Sequence, residues 1–473
     1  MKNRHILKAE ISAFGPLVMP LLQVAQRISS FDEVEMGLSR EQAIQEAQRC
    51  MGCTSAPCVK ACPLKIAIPT FIGALCQADL ATAARILSKS NPFPAVCGRI
   101  CPQELQCENS CVLGTNGSPV AVGALERFVA DWALEYHNSD VMRFHSAETG
   151  KKIAVIGGGV AGLSAAADLA GRRHHVKIYE SQKDTGGVLL YEIPEFRLPK
   201  KVVVGETARI ISLGVWVECN APVGRKISFG QLRSEYDAIL VTNGAGLPIL
   251  TGISGENLQG VYSSREYLTR TNLTVFGLKQ RDVHNDMNFS QVVVIGGGNT
   301  ALDCARVARR FGADRVTILY RRGERDMPAR LKEIEFAKQE GVKILEWSSP
   351  VEFLSDQYGR VTGLAYQKMR PGAIDSSGRP RPVPVPGAQR ELVANAVIYA
   401  LGTSYNPIMT GISPGLADAG IQKLLVNSDG STSIPGVFAG GDALRGCGTA
   451  VQAIADGKRA AVAIHSFLMA GDS

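Results

Sequence analysis

Two stretches of the chain show the same order of apolar and polar positions. In each, a short apolar run is followed by glycines, by a helical pattern and by a second apolar run. These elements occur at residues 153–156, 161–171 and 176–180, and again at residues 292–295, 301–311 and 316–320. A buried strand, a tight turn, a helix and another strand form the repeating unit of a parallel sheet. The pattern therefore predicts two such units, which are an internal duplication.

The pattern is different before residue 150. Residues 29–145 show helical patterns separated by loops rich in proline and cysteine, and no long strand pattern is present. The predicted helices cover residues 40–49, 68–76, 81–88 and 122–136. Residues 1–28 are expected to form an N-terminal arm. We therefore predict a small helical domain in front of the two sheet-forming units.

The order of the later elements predicts that one domain is inserted into the other. A strand pattern at residues 396–400 and a long helical pattern at residues 450–468 follow the second unit. The predicted domains are an arm over 1–28, a helical domain over 29–149, a first α/β domain over 150–288 and 398–473, and a second α/β domain over 289–397.

The composition is that of an ordinary globular protein with several domains. A chain of 473 residues is too long for one hydrophobic core, and its residues are 45% hydrophobic and 20% charged. The net charge of +7 is mild, and no basic stripe with aromatic residues is present, so nucleic acid is not an expected partner. No apolar run approaches the roughly 20 residues of a membrane-spanning helix. We expect a cytoplasmic protein without a membrane span.

The first unit contains a dinucleotide fingerprint, Gly157-x-Gly159-x-x-Gly162. The first glycine makes a tight turn, the second lets a pyrophosphate approach the backbone, and the third lets helix and strand pack closely. Glu180, at the end of the next strand, can accept a hydrogen bond from a ribose hydroxyl. Asp442, in Gly440-Gly441-Asp442, offers a carboxylate for a ribityl hydroxyl, although it could instead cap a helix. Together these residues predict FAD in the first α/β domain.

The second unit repeats the fingerprint as Gly296-x-Gly298-x-x-Ala301. Alanine replaces the third glycine, which is tolerable where the helix needs only a small residue. The position equivalent to Glu180 now reads Tyr320-Arg321-Arg322. Two arginines without an acid favour the 2′-phosphate of NADP over NAD, through charge-assisted hydrogen bonds. The alternative is that both arginines form a solvated surface patch.

Eight cysteines between residues 50 and 111 form two runs. The first reads Cys50-x2-Cys53-x4-Cys58-x3-Cys62-Pro63, and the second reads Cys97-x3-Cys101-x5-Cys107-x3-Cys111. Thiolates at these spacings with a trailing proline are typical of iron–sulfur cubanes. A zinc site favours two separated Cys-x2-Cys pairs, and only Cys50 and Cys53 form one. Two clusters need eight ligands, but counting does not assign each cysteine to a cluster.

One-electron centres beside two nucleotide sites indicate an oxidoreductase that converts a hydride into single electrons. The predicted fold is α/β, with two nested Rossmann-like, doubly wound domains that bind FAD and NAD(P), preceded by an all-helical iron–sulfur domain. Hydride transfer to a flavin requires positioning more than acid–base help, so no single catalytic side chain is expected. A disulfide reductase would need a Cys-x2-Cys motif in the second α/β domain, which has only Cys304. A non-catalytic assembly subunit remains an alternative.

Six further stretches carry a family resemblance, at residues 49–53, 91–102, 124–128, 186–199, 296–301 and 453–458. Through them the chain resembles the NADPH-linked small subunits of glutamate synthase over nearly its whole length after residue 28. Within that family it is similar above all to the branch with the large subunit of NADH-dependent reduced ferredoxin:NADP⁺ oxidoreductase, a transhydrogenase, and sulfide dehydrogenase.

The resemblance implies two [4Fe–4S] clusters, each with ligands from both cysteine runs. The first cluster would be bound by Cys50, Cys53, Cys58 and Cys111. The second would be bound by Cys62, Cys101, Cys107 and Glu126. Cys97 would be a neighbour that binds no iron, and Glu126 could instead be a surface residue in a salt bridge.

The resemblance also implies positions for residues of the nucleotide sites and a reaction. Gly187, Leu190 and Arg197 would lie near the flavin, and Asn299 and Thr300 near the nicotinamide nucleotide. The subunit would exchange hydride between NADP(H) and FAD, and single electrons with a partner subunit through the two clusters. The alternative is the large subunit of a flavin-based electron-bifurcating ferredoxin:NADP transhydrogenase or sulfide dehydrogenase. A hetero-oligomer is expected, in which the partner determines the final acceptor.

Overall fold

A computed structural model describes residues 17–115, 117–136, 148–276, 289–405, 411, 413, 415, 416 and 424–470. Residues 1–16 of the predicted arm and the predicted domain border at residue 288 lie outside this range. Within it, the α/β fold with two nested Rossmann-like domains and a helical domain in front is confirmed.

The helical domain is built from short helices whose ends are marked in the sequence. Proline occupies the first turn of three of them, and Ser39 and Asp79 accept hydrogen bonds from backbone N–H groups as N-caps. The helices are α1 Val24–Ser29, α2 Arg40–Gln48, α3 Pro57–Ala61, α4 Ile68–Cys76, α5 Leu80–Ser90, α6 Pro94–Ile100 and α7 Val122–Tyr136. Two 3₁₀ turns cover Gln103–Leu105 and Val112–Thr115. All four predicted helices are present, with ends shifted by at most two residues.

The first α/β domain has a five-stranded parallel sheet. Its strands are β1 Lys152–Ile156, β2 His175–Tyr179, β3 Trp216–Glu218, β4 Ala238–Val241 and β15 Val437–Ala439, in the order β15-β4-β1-β2-β3. Its helices are α8 Val160–Gly171, α9 Val188–Tyr191, α10 Lys200–Ile211, α11 Phe229–Glu235, α15 Asp442–Arg445 and α16 Ala450–Ala470. Strand β1 lies in the centre, so the glycine turn after it opens at the middle of the sheet.

The second α/β domain repeats this arrangement. Its parallel strands are β6 Val261–Ser263, β7 Gln291–Ile295, β8 Arg315–Leu319, β9 Lys343–Leu345 and β13 Ala396–Tyr399, in the order β6-β13-β7-β8-β9. Its helices are α12 Ser264–Val275, α13 Asn299–Arg310 and α14 Leu331–Gln339, with a 3₁₀ turn at Glu324–Asp326. Strand β7 is the counterpart of β1.

The borders between the two α/β domains differ from the predicted ones. Val261 of β6 pairs with Val397 of β13, so a segment predicted for the first domain supplies an edge strand of the second sheet. The predicted border between residues 397 and 398 also divides β13. The pairing of β6 with β13 joins residues more than a hundred positions apart, so the local pattern of apolar and polar residues does not predict it.

Two antiparallel sheets complete the fold. Strands β10 Ser348–Ser355, β11 Val361–Ile374 and β12 Pro380–Val393 form one sheet, and β5 Ala245–Pro248 pairs with β14 Thr403–Tyr405 in the other. The turn between β11 and β12 is closed by a hydrogen bond from the N–H of Asp375 to the carbonyl of Arg379 at 2.9 Å. Among the described residues, no helix is both long and apolar enough to cross a membrane.

Candidate functional site

The turn after strand β1 has the geometry that a dinucleotide requires. Gly157 has a φ of +104°, and a Cβ atom there would lie 2.5 Å from the carbonyl oxygen of Thr242. A Cβ atom on Gly162 would lie 2.1 Å from the carbonyl oxygen of Gly157. Helix α8 therefore packs so closely against the turn that only glycine fits at this position. At Gly159 the nearest atom to the Cβ position is the Cα of Gly187, at 4.0 Å. Gly159 therefore faces a space in which a pyrophosphate fits.

Glu180 follows strand β2, and its carboxylate is held by the backbone. Oε2 accepts a hydrogen bond from the N–H of Gly158 at 2.7 Å, and Oε1 accepts one from the N–H of Gln182 at 2.8 Å. Each carboxylate oxygen has two lone pairs, so capacity remains for a ribose hydroxyl. Glu180 lines a cleft of about 420 Å³ together with Gly157, Gly159, Gly187 and Asp442. This cleft offers the glycine turn and the acceptor groups that FAD requires.

The C-terminal tail forms one side of the same cleft. Gly441 has a φ of +70° and is the N-cap of helix α15, so Asp442 is the first helical residue and not the cap. Thr449 and Ala450 also line the cleft, at the start of the 21-residue helix α16. The positive end of a long helix therefore faces any electron-rich group of a ligand bound there.

The three residues that the resemblance implies near the flavin take different positions. Gly187 lines the cleft, with a φ of +53°. Leu190 instead lines a separate, mostly apolar cavity of about 520 Å³. The Arg197 guanidinium donates a hydrogen bond to Oδ2 of Asp303 on helix α13 at 2.6 Å. Leu190 and Arg197 are therefore not among the residues that line the cleft, and Arg197 connects the segment after α9 to the second α/β domain.

An ion pair in the cleft was not predicted. Glu192 lines the cleft, and its Oε1 lies 3.3 Å from Nε of Arg265 on helix α12. Burial raises the pKa of the Glu192 carboxyl, and the charge of Arg265 acts in the opposite direction. Arg265 also donates a hydrogen bond to the carbonyl of Ala245 at 3.3 Å. The two residues are 73 positions apart, so no sequence spacing indicates that they meet.

The turn after strand β7 repeats the first turn with one change. Gly296 has a φ of +141°, and a Cβ atom there would lie 2.2 Å from the carbonyl oxygen of Ala400. Gly298 is the N-cap of helix α13 and has no atom within 4 Å of its Cβ position. The methyl group of Ala301 is fully buried against the strand. An open glycine at a helix N-terminus is again suited to a pyrophosphate.

The two residues after Gly298 are placed differently. The side-chain oxygen of Asn299 accepts a hydrogen bond from the backbone N–H of Arg330 at 3.0 Å. Thr300 is half-buried in the first turn of helix α13. Asn299 therefore lies at the nucleotide turn and is joined to helix α14.

The two arginines predicted to bind the 2′-phosphate have different surroundings. Arg321 is exposed at the end of β8. Arg322 is 5% exposed, and its Nη2 lies 2.5 Å from Oδ2 of Asp375 while its Nε donates to the carbonyl of Pro380 at 3.0 Å. The arginine pair is therefore not a simple surface patch. Arg321 is free to meet a phosphate from solvent, whereas Arg322 fixes the β11–β12 turn beside it.

Cysteines of both runs surround one cavity, here called the first site. The four thiols at this cavity belong to Cys50, Cys53, Cys58 and Cys111, and all four residues are half-buried. Burial raises the pKa of the Cys50 and Cys58 thiols. Thiolates in such surroundings require a positive partner, which the irons of a cluster provide. The set agrees with the first ligand group that the resemblance implies.

A second cavity, here called the second site, lies deeper. It is lined by Cys62, Cys101, Cys107 and Glu126, and by Cys97 and Asn91. The three implied cysteine ligands are 7%, 7% and 8% exposed. Oε1 of Glu126 accepts a hydrogen bond from Nδ2 of Asn91 at 2.9 Å, and burial raises the pKa of this carboxyl to about 8. Glu126 is therefore no surface residue in a salt bridge, and it faces the same cavity as the cysteines.

The donor sets of the two sites, which are mainly cysteines, suit iron–sulfur clusters. Across the described residues, no three His, Cys, Asp or Glu side chains are placed to hold one metal ion. In a cubane each thiolate binds a different iron, so the sulfurs stand farther apart than four ligands of one zinc ion. Cys97 is 1% exposed, and its Sγ lies 3.8 Å from Oδ1 of Asn91.

Two protein families match the chain. The family described as dihydropyrimidine dehydrogenase domain II, 4Fe-4S cluster, matches residues 27–138. The family described as pyridine nucleotide-disulphide oxidoreductase matches residues 151–457. The border between the matches coincides with the start of the first α/β domain.

Individual proteins are similar to the chain over most of its length. It is 33% identical to the glutamate synthase (NADPH) small chain of Escherichia coli (strain K12) over 446 residues, which cover 93% of this chain and 94% of that one. It is 35% identical to the small chain of Azospirillum brasilense over 453 residues, with 94% and 93% covered. The structure of Mycobacterium tuberculosis FprA in complex with NADPH is similar in fold, with a TM-score of 0.58 and 20% identity over 68% of this chain and 86% of that one.

Proposed function

Because the chain belongs to the family of the NADPH-dependent glutamate synthase small chains, we propose that its cofactor sites form one ordered electron path to a partner subunit. The protein is an NADPH-dependent oxidoreductase with FAD and iron–sulfur clusters. Bound in its sites, FAD supplies the exchange between hydride and single electrons, and the clusters supply one-electron carriers. We propose the order in which electrons pass between the sites and the residues that hold each cofactor.

The observation that carries this proposal is that each cavity is lined by residues next to, or shared with, those of the following cavity. Ala450 and Ala453 of helix α16 line the FAD cleft, and Val451 between them lines the second site. Ile68 and Val122 line both the second site and the first. The second site therefore lies between the other two cavities: it adjoins the FAD cleft across helix α16 and shares part of its wall with the first site.

The solvent exposure of the proposed ligands supports this order of the two cluster sites. The ligands proposed for the second site are almost without solvent contact. This burial keeps water and other electron acceptors away from a reduced cluster. The ligands proposed for the first site are half-buried, and beside them Met51 and Val112 are 40% and 45% exposed. We propose that electrons leave at this surface and that the partner subunit docks over it. Its apolar side chains suit a protein partner.

The nucleotide sites are assigned on the same basis. We propose that FAD is held by Gly157, Gly159, Gly162, Glu180, Gly187 and Asp442. NADPH is proposed to bind at Gly296, Gly298, Asn299 and Thr300, with Arg321 on its 2′-phosphate and Arg322 supporting that loop. The strand β6 and helix α12 are assigned to the NADPH-binding domain together with residues 289–399.

Single cysteine substitutions test the path and the ligand sets together. Cys58→Ser and Cys111→Ser come from different runs but are proposed to belong to the first site, and Cys62→Ser and Cys107→Ser to the second. Each pair should therefore lose the same spectroscopic cluster signal, and the iron content should fall from about eight to about four per FAD. Cys97→Ser is the control and should keep both signals.

The outcome that would contradict the path concerns the order of reduction. In the first-site variants, NADPH should still bleach the flavin and reduce the second site under anaerobic conditions. In the second-site variants, the flavin should be bleached while the first site stays oxidised. If losing the second site leaves reduction of the first site unchanged in rate, electrons do not pass in the proposed order.

The partner itself is open to a direct experiment. Affinity purification of the full chain under anaerobic conditions should retain a subunit that protects the first-site surface. A large amidotransferase-like subunit would indicate glutamate synthesis, and a small ferredoxin-reductase-like subunit would indicate transhydrogenation or sulfur reduction. Replacing exposed Met51 with Glu should weaken this association without changing the reduction of the flavin by NADPH.

A further inference from the structure

Helix α6 is held at its two ends by the two α/β domains. At its N-terminus, the carboxylate of Glu206 on helix α10 accepts hydrogen bonds from the N–H groups of Ala95 at 2.8 Å and Val96 at 3.3 Å. At its C-terminus, Nη1 of Arg330 donates to the carbonyl of Arg99 at 3.0 Å. An anion at the N-terminus and a cation at the C-terminus both complement the helix dipole. Cys101, a proposed ligand of the second site, follows α6 directly.

Arg330 also holds the loop that follows this cysteine. Its Nη2 donates to Oε1 of Gln103 at 2.6 Å, and its Nε and Nη2 donate to the Glu104 carboxylate, each at 3.0 Å. Gln103 lines the second site and donates to the carbonyls of Cys97 and Gly98. The Arg330 side chain is 5% exposed. One guanidinium thus donates hydrogen bonds to Arg99, Gln103 and Glu104 at once. A lysine ammonium has fewer donors and cannot reproduce this geometry.

The other end of Arg330 reaches the nucleotide turn. Its backbone N–H donates to Oδ1 of Asn299 at 3.0 Å, and Asn299 follows Gly298 at the start of helix α13. Direct hydrogen bonds therefore connect the turn proposed for the NADP pyrophosphate with a side chain that lines the second site. The connection runs through one residue.

We propose that Arg330 is a positioning residue that couples NADP(H) binding to the redox state of the second site. The inference rests on the proposed function of that site. An added electron strengthens the attraction between the site and the buried guanidinium of Arg330, which is hydrogen-bonded to the loop of the site, because charges interact strongly at low dielectric. Arg330 then holds Asn299 and the turn of α13 more firmly, so the nucleotide binds more tightly to the reduced site. By linkage, bound nucleotide raises the reduction potential of the site to the same extent.

The test uses the loaded full chain and a probe that takes no hydride. The probe is 2′-phospho-ADP-ribose, which has the pyrophosphate and 2′-phosphate of NADP but no nicotinamide. The dissociation constant of the probe is measured with the second site oxidised and reduced, and the midpoint potential of that site is followed by EPR with and without probe. In the unaltered protein we expect binding to the reduced form to be about 5- to 10-fold tighter.

Three variants separate coupling from a merely structural role. Arg330→Met should abolish the difference in probe affinity and lower the potential of the second site. Arg330→Lys keeps the positive charge but not the several hydrogen bonds of the guanidinium. The reduction potential of the second site should therefore change little, whereas most of the difference in probe affinity should be lost. Gln339→Met is the matched control, because Gln339 lies at the other end of α14 and accepts a hydrogen bond from Arg27 on helix α1 at 2.9 Å. This variant should behave as the unaltered protein.

An Arg330→Met protein that carries both clusters and FAD and keeps the full affinity difference would overturn the proposal. If this variant fails to fold or to load its cofactors, Arg330→Lys decides, and an unchanged difference there is equally fatal. Absence of any difference in the unaltered protein also ends the inference. That result leaves the proposed path intact, since anaerobic reduction of the flavin and both clusters by NADPH is measured separately.

Discussion

The two α/β domains begin with the same glycine turn but pack their first helix at different distances. In the FAD-binding domain the third position is Gly162, and a Cβ atom there would lie 2.1 Å from a backbone oxygen. In the NADPH-binding domain the same position is Ala301, whose methyl group fits and is fully buried. The comparison shows that one motif specifies the turn, while the third residue sets how closely helix and strand approach.

The domains also differ at the end of their second strand. Glu180 is an acceptor held by backbone N–H groups, whereas Tyr320 fills the equivalent place with a ring that packs against Gly297. The charge proposed to meet the nucleotide in the second domain comes one residue later, from exposed Arg321. The turn is therefore common to both domains, and we propose that the side chains after the second strand select the nucleotide.

The largest effect is expected from adding a side chain at Gly162. Gly162→Val would place its side chain on the Gly157 carbonyl and on the Thr242 hydroxyl, which lies 2.7 Å from the Cβ position. Helix α8 would have to move away from β1, at a cost of about 3 kcal/mol in the free energy of unfolding. We expect purified protein without the flavin absorbance and with a lower melting temperature.

The control for this prediction is the equivalent position of the other domain. Ala301→Gly removes one buried methyl group from the first turn of helix α13 and should cost only about 1–2 kcal/mol. It should keep both FAD and NADPH binding. Full flavin content in Gly162→Val would mean that the close approach of α8 is not needed for the site.

The second prediction concerns the choice between NADPH and NADH. Arg321→Ala removes a charge-assisted contact worth about 1.5–3 kcal/mol, so KM for NADPH should rise by about 10- to 150-fold. The KM for NADH should stay within about twofold, since NADH has no 2′-phosphate. Arg315→Ala is the control, because Arg315 is exposed at the opposite end of β8. An equal loss with both nucleotides would contradict a role in phosphate recognition.

The third prediction separates Arg322 from Arg321. Arg322 is paired with Asp375, so Arg322→Ala should lower the free energy of unfolding by about 1–3 kcal/mol and change the NADPH preference less than Arg321→Ala. Asp375→Ala should have a similar effect on stability. The double variant should lose much less than the sum of the two single losses, because both remove the same ion pair. If denaturant unfolding showed that the two losses of stability add up, the ion pair between Arg322 and Asp375 would not be the source of the stabilisation.

Arg322 also shows where the sequence is not sufficient to predict the site. Its position after β8 is predicted correctly, because local spacing fixes the end of a strand. Its partner lies 53 residues later, in a turn between two strands that the pattern does not reveal. Strand β12 has four prolines at alternate positions, from Pro380 to Pro386, and proline is tolerated there because β12 is an edge strand.

The same limit applies to the cysteine sites. Spacing within each run predicts iron–sulfur ligands, because neighbouring thiolates in a loop can reach one cluster. It does not predict that Cys111 joins Cys50, Cys53 and Cys58, since helices α4 to α7 must first bring the two runs together. The resemblance supplied that grouping and Glu126. Periodicity was sufficient for the β-turn-α-β units, whose contacts are local, and insufficient for strand β6 and for Arg330, whose contacts are distant.

The smallest expected effect is that of Glu180→Gln, and a second substitution at the same position makes the comparison sharpest. Glu180→Gln keeps an acceptor for one of the two backbone N–H groups but replaces the other oxygen with a donor. One hydrogen bond is lost, so FAD affinity should fall by about fivefold, which corresponds to about 1 kcal/mol. Flavin release during dialysis measures this change. Glu180→Arg, which imitates the second domain, should release FAD completely, because a cation there faces the N–H donors of Gly158 and Gln182 without an acceptor. If Glu180→Arg retained FAD, the residue after the second strand would not select the nucleotide.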